Sequence, residues 1–91
     1  MTEVTIYSKP GCHLCDEAKA VLLKVRRQEP FALQEVNIEE HPEAFAAFKE
    51  EVPVIFVAGR KAFKYRVGER ELLRRLQRER QAREASKSTP A

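Results

Sequence analysis

The sequence of 91 residues contains no tryptophan, one methionine, three glycines and only two cysteines, Cys12 and Cys15. A secreted domain held together by disulfides would need more cysteines, spread along the chain. The longest apolar run near the middle, residues 54–58, is too short to cross a membrane. No basic segment followed by an apolar stretch begins the sequence. We therefore predict no secretory signal and expect a cytoplasmic protein.

Charge is unevenly distributed along the chain, which has a net charge of +3. Residues 1–58 carry 6 Lys and Arg against 10 Asp and Glu, a net of −4, whereas residues 59–91 carry 11 against 4, a net of +7. A basic segment can attract nucleic acid or an acidic protein surface, but it is more often the solvated face of a helix. Because no aromatic residue interrupts the arginines after Tyr65, the pattern argues against nucleic acid as a partner.

The order of periodic segments predicts an α/β domain. Alternating or β-branched runs predict strands at residues 3–8, 31–38, 54–57 and 61–67. Apolar spacings of three and four predict helices at residues 12–27, 42–49 and from 69 onward. A right-handed crossover and a final hairpin then give a four-stranded mixed sheet with three helices, in the order βαβαββα. We expect one domain over residues 1–84 and a disordered tail over residues 85–91.

Two finer expectations concern the later helices. The helix that begins at Pro42 is predicted to turn Phe45 and Phe48 inward. The last helix loses its apolar stripe after Leu76, so its charged extension is expected to depend on pairs four residues apart. These pairs are Glu71 with Arg75 and Glu79 with Arg83.

The strongest chemical signal is the segment Cys12-His13-Leu14-Cys15. Residues three apart on a helix have Cβ atoms about 5–6 Å apart, close enough for a disulfide after a small adjustment. The segment also stands where a strand ends and a helix begins, and the free N–H groups of the first helical turn favour a thiolate. We therefore expect Cys12 to be the exposed nucleophile and Cys15 the resolving thiol in dithiol–disulfide exchange.

Two other interpretations of the cysteine pair stand beside this one. The pair could be half of a zinc site, but a structural site needs four ligands and only His13 and His41 remain as candidates. The cysteines could also be inert buried thiols, although Pro10-Gly11 just before them favours exposure. The alternative function is a binding module that carries a metal or an iron–sulfur cluster through Cys12.

Residues beside the cysteines could tune or extend the site. A protonated His13 would stabilise the Cys12 thiolate; alternatively, His13 is a spacer that faces solvent. Lys9 adds positive potential on the approach side. The Val52–Pro53 bond can be cis or trans, and a Val52 beside the cysteines could pair its main chain with an extended substrate.

Two segments resemble the glutaredoxin branch of the thioredoxin-like superfamily: residues 7–15 are similar to its active-site loop and residues 52–59 to its cis-proline strand. The resemblance extends over residues 3–77. It implies a thioredoxin-like fold, a cis peptide before Pro53, Cys12 as nucleophile and Cys15 as resolving thiol. It also implies that Lys9 holds a glutathione carboxylate and that Val52 binds the glutathione backbone.

The chain departs from this family at two places. His13-Leu14 stands where glutaredoxins usually have Pro-Tyr, and residues 61–66 hold no counterpart of the Gly-Gly-Asp stretch that receives the γ-glutamyl end of glutathione. These departures favour protein disulfides as substrates. We expect an oxidoreductase, with no bound cofactor and no membrane partner, that reduces protein or glutathione mixed disulfides. Its reductant would be glutathione or a thioredoxin reductase.

Overall fold

A computed structural model describes the backbone of residues 1–88 and the side chains of residues 1–82. The strands are β1 (Glu3–Ser8), β2 (Ala32–Asn37), β3 (Val54–Val57) and β4 (Arg60–Lys64). The helices are α1 (His13–Gln28), α2 (Pro42–Phe48) and α3 (Glu69–Ser88), and a short 3₁₀ turn, Ile38–Glu40, follows β2. None of the described helices is long and apolar enough to span a bilayer.

The four strands form one mixed sheet in the order β2-β1-β3-β4. Strand β1 pairs in parallel with β2 and antiparallel with β3, while β3 and β4 form a hairpin. The hairpin closes through Ala58 and Gly59, which both have positive φ, as a tight two-residue turn requires. This topology confirms the predicted fold class, α/β with the order βαβαββα.

The larger core lies between one face of the sheet and the helices α1 and α3. Alternation along β1 and β3 turns Val4, Ile6, Ile55 and Val57 to this face, where they are fully buried. Leucines from both helices complete the core; those with no or almost no exposure are Leu22, Leu72 and Leu76. Because burying one such side chain contributes about 1.5–3 kcal/mol, this layer supplies most of the hydrophobic stabilisation.

A smaller core lies on the opposite face of the sheet, beneath the seven residues of α2. Phe48 packs there on Tyr7 and Phe56, with ring centroids 5.0 and 6.0 Å away. Phe45 is 39% exposed, so the prediction that both phenylalanines face inward is wrong for Phe45. The short α2 presents one narrow stripe to the sheet, and Phe48 occupies it.

Strand β4 ends three residues earlier than predicted. Its last residue, Lys64, pairs with Val54, the first residue of β3. Pro53 precedes Val54 and has no N–H to offer, so the ladder stops at this point. Tyr65 then leaves the sheet with a φ of 68°.

Helix α3 continues beyond its predicted end near residue 84 and is described to Ser88. Arg75 pairs with Glu79 at 3.1 Å, so the predicted pairing of Arg75 with Glu71 is wrong. The side chain of Arg83, predicted to pair with Glu79, lies outside the described side chains, and residues 89–91 lie outside the described residues altogether. The division into a domain over residues 1–84 and a disordered tail over residues 85–91 stays a prediction.

Candidate active site

A tight turn places Cys12 at the start of α1. Pro10 and Gly11 occupy the centre of this turn, and the Cys12 amide donates a hydrogen bond to the Lys9 carbonyl at 3.3 Å. Gly11 has a φ of 75°, the conformation that this turn requires at its second central position and that glycine adopts without strain. The sequence Lys9-Pro10-Gly11 therefore ends β1 and delivers the cysteine to the helix terminus.

Cys12 is the N-cap of α1, one residue before the first residue of the helix. Its Sγ accepts a hydrogen bond from the backbone N–H of Cys15 at 3.1 Å. A sulfur in this position faces the free N–H groups and the positive end of the helix dipole. The local structure thus favours negative charge on Cys12.

The two cysteines form a disulfide, with Cα atoms 5.2 Å apart. Their surroundings differ: Cys12 is half-buried, whereas Cys15 is only 3% exposed and belongs to the smaller core. An incoming molecule can therefore reach Cys12 more easily than Cys15.

Val52 and Pro53 lie next to the cysteines although they are far from them in sequence. Val52 packs in the smaller core together with Cys15, and Cys12 lies against the same cluster. The Val52–Pro53 peptide is cis, as the resemblance to glutaredoxins implies, and Pro53 is fully buried. The structure brings these residues together with the cysteine pair.

Lys9 and His13 each contact a residue outside the cysteine pair, and their roles in substrate binding stay predictions. The Lys9 Nζ donates to the carbonyl of Lys49 at 3.3 Å, at the C-terminus of α2. The His13 side chain is 88% exposed, and its Nε2 lies 3.8 Å from Glu17 Oε1. Lys9 therefore connects α2 to the active-site turn, and His13 faces solvent.

Leu14 lines a groove whose opposite wall the sequence did not reveal. That wall is the loop after β4, residues 65–67. The sequence predicts a strand over these residues, and no local signal marks Tyr65 as part of the site. Only the early end of β4 brings this loop beside α1.

A polar cavity of about 410 Å³ lies on the other side of Cys15. The Lys19 ammonium binds the Glu35 carboxylate there at 2.7 Å. This hydrogen bond and the negative charge of Glu35 raise the pKa of Lys19 above its usual 10.5. The buried Ser8 hydroxyl donates to the same carboxylate at 3.5 Å. The cavity thus holds a Lys19–Glu35 ion pair, and Cys15 forms part of its wall.

The described residues contain no cluster of three or more His, Cys, Asp or Glu side chains able to hold a metal ion. His41 lines the polar cavity together with Cys15, whereas His13 is directed towards Glu17. The two histidines considered as zinc ligands are therefore not gathered around the cysteines.

A family model and a curated relative both relate this chain to glutaredoxin-like proteins. The glutaredoxin-like domain (DUF836) matches residues 3–77. A curated relative, the "Glutaredoxin-like protein YDR286C homolog" of Dictyostelium discoideum, is 29% identical over 75 residues, which are 76% of this chain and 69% of the relative.

Solved structures show the same fold. The X-ray structure of target protein XcR50 from X. campestris has a TM-score of 0.69 at 28% identity, over 82% of this chain and 96% of that one. A thioredoxin from Halobacterium salinarum, solved as a mutant, has a TM-score of 0.62 at 17% identity, over 85% of this chain and 73% of that one. The chain therefore belongs to the glutaredoxin-like family, and its thioredoxin-like fold and Cys12–Cys15 pair indicate a redox function.

Proposed function

We propose that this protein is a thiol–disulfide oxidoreductase that reduces protein disulfides or glutathione mixed disulfides with the Cys12/Cys15 dithiol. The observation that carries the proposal is the position of Cys12 as N-cap of α1, where its Sγ accepts the Cys15 N–H at 3.1 Å. In the reduced protein, the same N–H groups stabilise a thiolate, which is the nucleophilic form of cysteine.

The first step is attack of the Cys12 thiolate on one sulfur of the substrate disulfide. A bond forms between Cys12 and that sulfur, the substrate S–S bond breaks, and the other substrate sulfur leaves as a thiolate. The half-buried position of Cys12 leaves its sulfur reachable for this attack. Val52, beside the cysteines, offers main-chain groups that can pair with an extended substrate.

The second step is attack of Cys15 on the Cys12 sulfur. Cys15 loses its proton to solvent, displaces the remaining substrate sulfur as a thiolate and forms the Cys12–Cys15 disulfide. The dithiol has then given up two electrons and the substrate has gained them. The Cα separation of 5.2 Å lies within the usual range for a disulfide, so this step needs no large backbone movement.

Re-reduction needs an external thiol, for which two molecules of glutathione or a thioredoxin reductase are the candidate donors. The chain lacks the aromatic residue and the Gly-Gly-Asp stretch of the glutaredoxin glutathione site, because Leu14 and residues 61–66 occupy these places. We therefore expect protein disulfides to be reduced faster than glutathione mixed disulfides. The reducing cytoplasm is the compartment in which such a cycle can run.

The test is reduction of insulin and of a glutathionylated small disulfide by the wild-type protein and two variants. Cys12→Ser should abolish both activities. Cys15→Ser should instead accumulate a covalent adduct with the substrate, visible as a mass increase that dithiothreitol reverses. If Cys12→Ser keeps its activity, or if the Cys15→Ser variant forms no adduct while the wild type is inactive, the proposal fails.

The midpoint potential of the pair separates the two modes of exchange. A value near about −270 mV would indicate thioredoxin-like reduction, and about −200 to −230 mV glutaredoxin-like exchange. Metal analysis of the purified protein tests the alternative function, a module that carries a metal or an iron–sulfur cluster through Cys12. Stoichiometric iron or zinc in the wild type that is lost in Cys12→Ser would favour this alternative over the oxidoreductase.

A further inference from the structure

A groove of about 220 Å³ runs between α1 and the loop that joins β4 to α3. Most of the side chains along it are apolar, and one carboxylate and one guanidinium complete its walls. The lining residues are Leu14, Glu17, Ala18, Val21, Tyr65, Arg66 and Val67.

The wall opposite α1 depends on an unusual conformation of Tyr65. Its φ is 68°, and the N–H of Arg66 donates to the carbonyl of Lys64 at 2.8 Å. These features define a three-residue γ-turn of the positive-φ type, which is rare and strained. For a bulky residue such as tyrosine a positive φ is a genuine outlier.

The strain at Tyr65 is not offset by burial of its side chain. Tyr65 is 43% exposed, and the ammonium of Lys64 lies over its ring, 5.4 Å from the ring centroid. A strained backbone that presents a large side chain to solvent is typical of sites that contact another molecule. The conformation holds the ring at the groove.

The groove lies next to the exchange site. Leu14 stands between the two cysteines in the sequence and lines the groove. On the other wall, the N–H of Tyr65 donates to the Pro53 carbonyl at 2.8 Å. Pro53 follows Val52, which packs with the cysteines. A substrate bound at Cys12 and Val52 therefore has the groove beside it.

We propose that Tyr65 and Leu14 form a binding site for an apolar side chain that flanks the reacting cysteine of an extended polypeptide substrate. This inference rests on the proposed function and names its substrate class. Glutathione has glycine on one side of its cysteine and a γ-linked glutamate on the other, so it has no apolar side chain to place between these walls. Tyr65 is thus a specificity-determining residue that favours polypeptides.

The test uses two short peptides, each with its cysteine joined to thionitrobenzoate. One peptide has leucine on both sides of the cysteine and the other has glycine on both sides. Attack of Cys12 on the peptide sulfur releases the coloured thionitrobenzoate anion, so each reaction is followed directly. The quantity compared is the ratio of the two kcat/KM values, leucine peptide over glycine peptide.

For the wild type we expect a ratio of about 10, which corresponds to about 1.4 kcal/mol from partial burial of one leucine. Tyr65→Gly, which removes the ring and allows the positive φ without strain, should reduce the ratio to about 2 or less. Leu14→Ser should do the same from the opposite wall, and Tyr65→Phe should keep the ratio. Phe45→Ala is the matched control, since Phe45 is a similarly exposed phenylalanine on α2.

The possible results distinguish failure of the groove as a specificity site from failure of the proposed exchange reaction. A wild-type ratio near 1, or a ratio that both Tyr65→Gly and Leu14→Ser leave unchanged while they stay folded, overturns the groove as a specificity site but leaves the exchange reaction intact. If the wild type releases thionitrobenzoate from neither peptide, the proposed function fails, and the inference fails with it. If Tyr65→Gly does not fold, the Leu14→Ser ratio decides.

Discussion

Cys12 and Cys15 lie three residues apart and meet different surroundings. Cys12 caps the helix and is half-buried, while Cys15 is packed beside Ile38 and Val52 in the smaller core. Burial in apolar surroundings raises the pKa of a thiol, and helix N-terminal N–H groups lower it. The reduced protein should therefore carry one reactive and one protected thiol.

This difference predicts unequal alkylation. In the reduced protein near neutral pH, Cys12 should react with iodoacetamide at least about tenfold faster than Cys15. Mass spectrometry of peptides taken at short times measures both rates. The unfolded protein in denaturant is the control, because there the two rates should converge. Equal slow rates in the folded protein would contradict an activated Cys12.

Glu51 is held just before Val52 by two lysines of the neighbouring strand. Its carboxylate lies 3.2 Å from the Lys61 ammonium and 3.4 Å from that of Lys64. The hydrogen bonds from Lys61 and Lys64 lower the pKa of Glu51 below its usual 4.5. These contacts tie β4 to the segment that carries Val52 into the site.

Because the pKa of Glu51 is lower in the folded protein, its ion pairs stabilise the fold above about pH 4.5 and lose this effect as the pH falls through the folded value. Glu51→Gln should therefore lower Tm slightly at pH 7, since the pair is solvent-screened. The difference from wild type should vanish well below pH 4.5. Thermal unfolding of both proteins between about pH 7 and 3 measures how this difference in Tm depends on pH.

Glu50→Gln is the control for Glu51, because Glu50 is exposed and forms no ion pair with another described residue. It should leave Tm unchanged over the same range. A Glu51→Gln difference that grows on acidification would contradict the pairing.

At the scale of elements, α2 is held on the sheet by Phe48 and Ala44 and by a hydrogen bond from the Lys9 side chain. Phe48 meets the rings of Tyr7 and Phe56, and the Lys9 ammonium binds the carbonyl of Lys49 just after the helix. A seven-residue helix is too short to be stable by itself, so these contacts determine its position.

Phe48→Ala should therefore destabilise the protein by about 1–2 kcal/mol, less than the roughly 3–5 kcal/mol of a fully buried phenylalanine. Phe45→Ala, on the exposed side of the same helix, should change the free energy of unfolding by less than about 0.5 kcal/mol. Urea unfolding of the two variants gives the comparison. Equal losses would mean that both rings stabilise α2.

The elements differ in how much of them can be predicted from sequence. The bounds of β1 and β3 follow from their own β-branched and aromatic residues. The end of β4 depends on Pro53, the residue just before β3, and this dependence is invisible in the residues of β4 itself. The cysteine pair can be predicted because its spacing lies within one segment of the sequence. The position of Tyr65 beside the site cannot, because it depends on where β4 ends in the folded protein.

At the scale of the whole molecule, α3 carries 7 Lys and Arg against 4 Glu, and part of this helix is tied back to α1. The Arg80 guanidinium lies 2.9 Å from the carboxylate of Glu29, the C-cap residue of α1. Glu29 is only 13% exposed whereas Arg80 is 48% exposed, so solvent screens this contact in part. The sequence predicted pairs along α3 but not this connection across 51 positions.

Arg80→Ala should lower the free energy of unfolding by about 0.5–1 kcal/mol, and high salt should reduce this loss. Arg78→Ala is the matched control, since Arg78 is exposed on the same helix and makes no ion pair with another described residue. Denaturant titrations at low and high salt measure the free energy of unfolding of both variants. Equal effects of both variants would show that only the total charge of the helix matters.

The two hydrophobic cores on opposite faces of the sheet have a consequence for motion. The buried thiol belongs to the smaller core under α2, whereas β1 and β3 are secured mainly by the larger core under α1 and α3. Local openings cost less where fewer apolar contacts must separate. A transient loosening of α2 can therefore admit solvent and base to Cys15 in the proposed reaction while the rest of the protein keeps its packing.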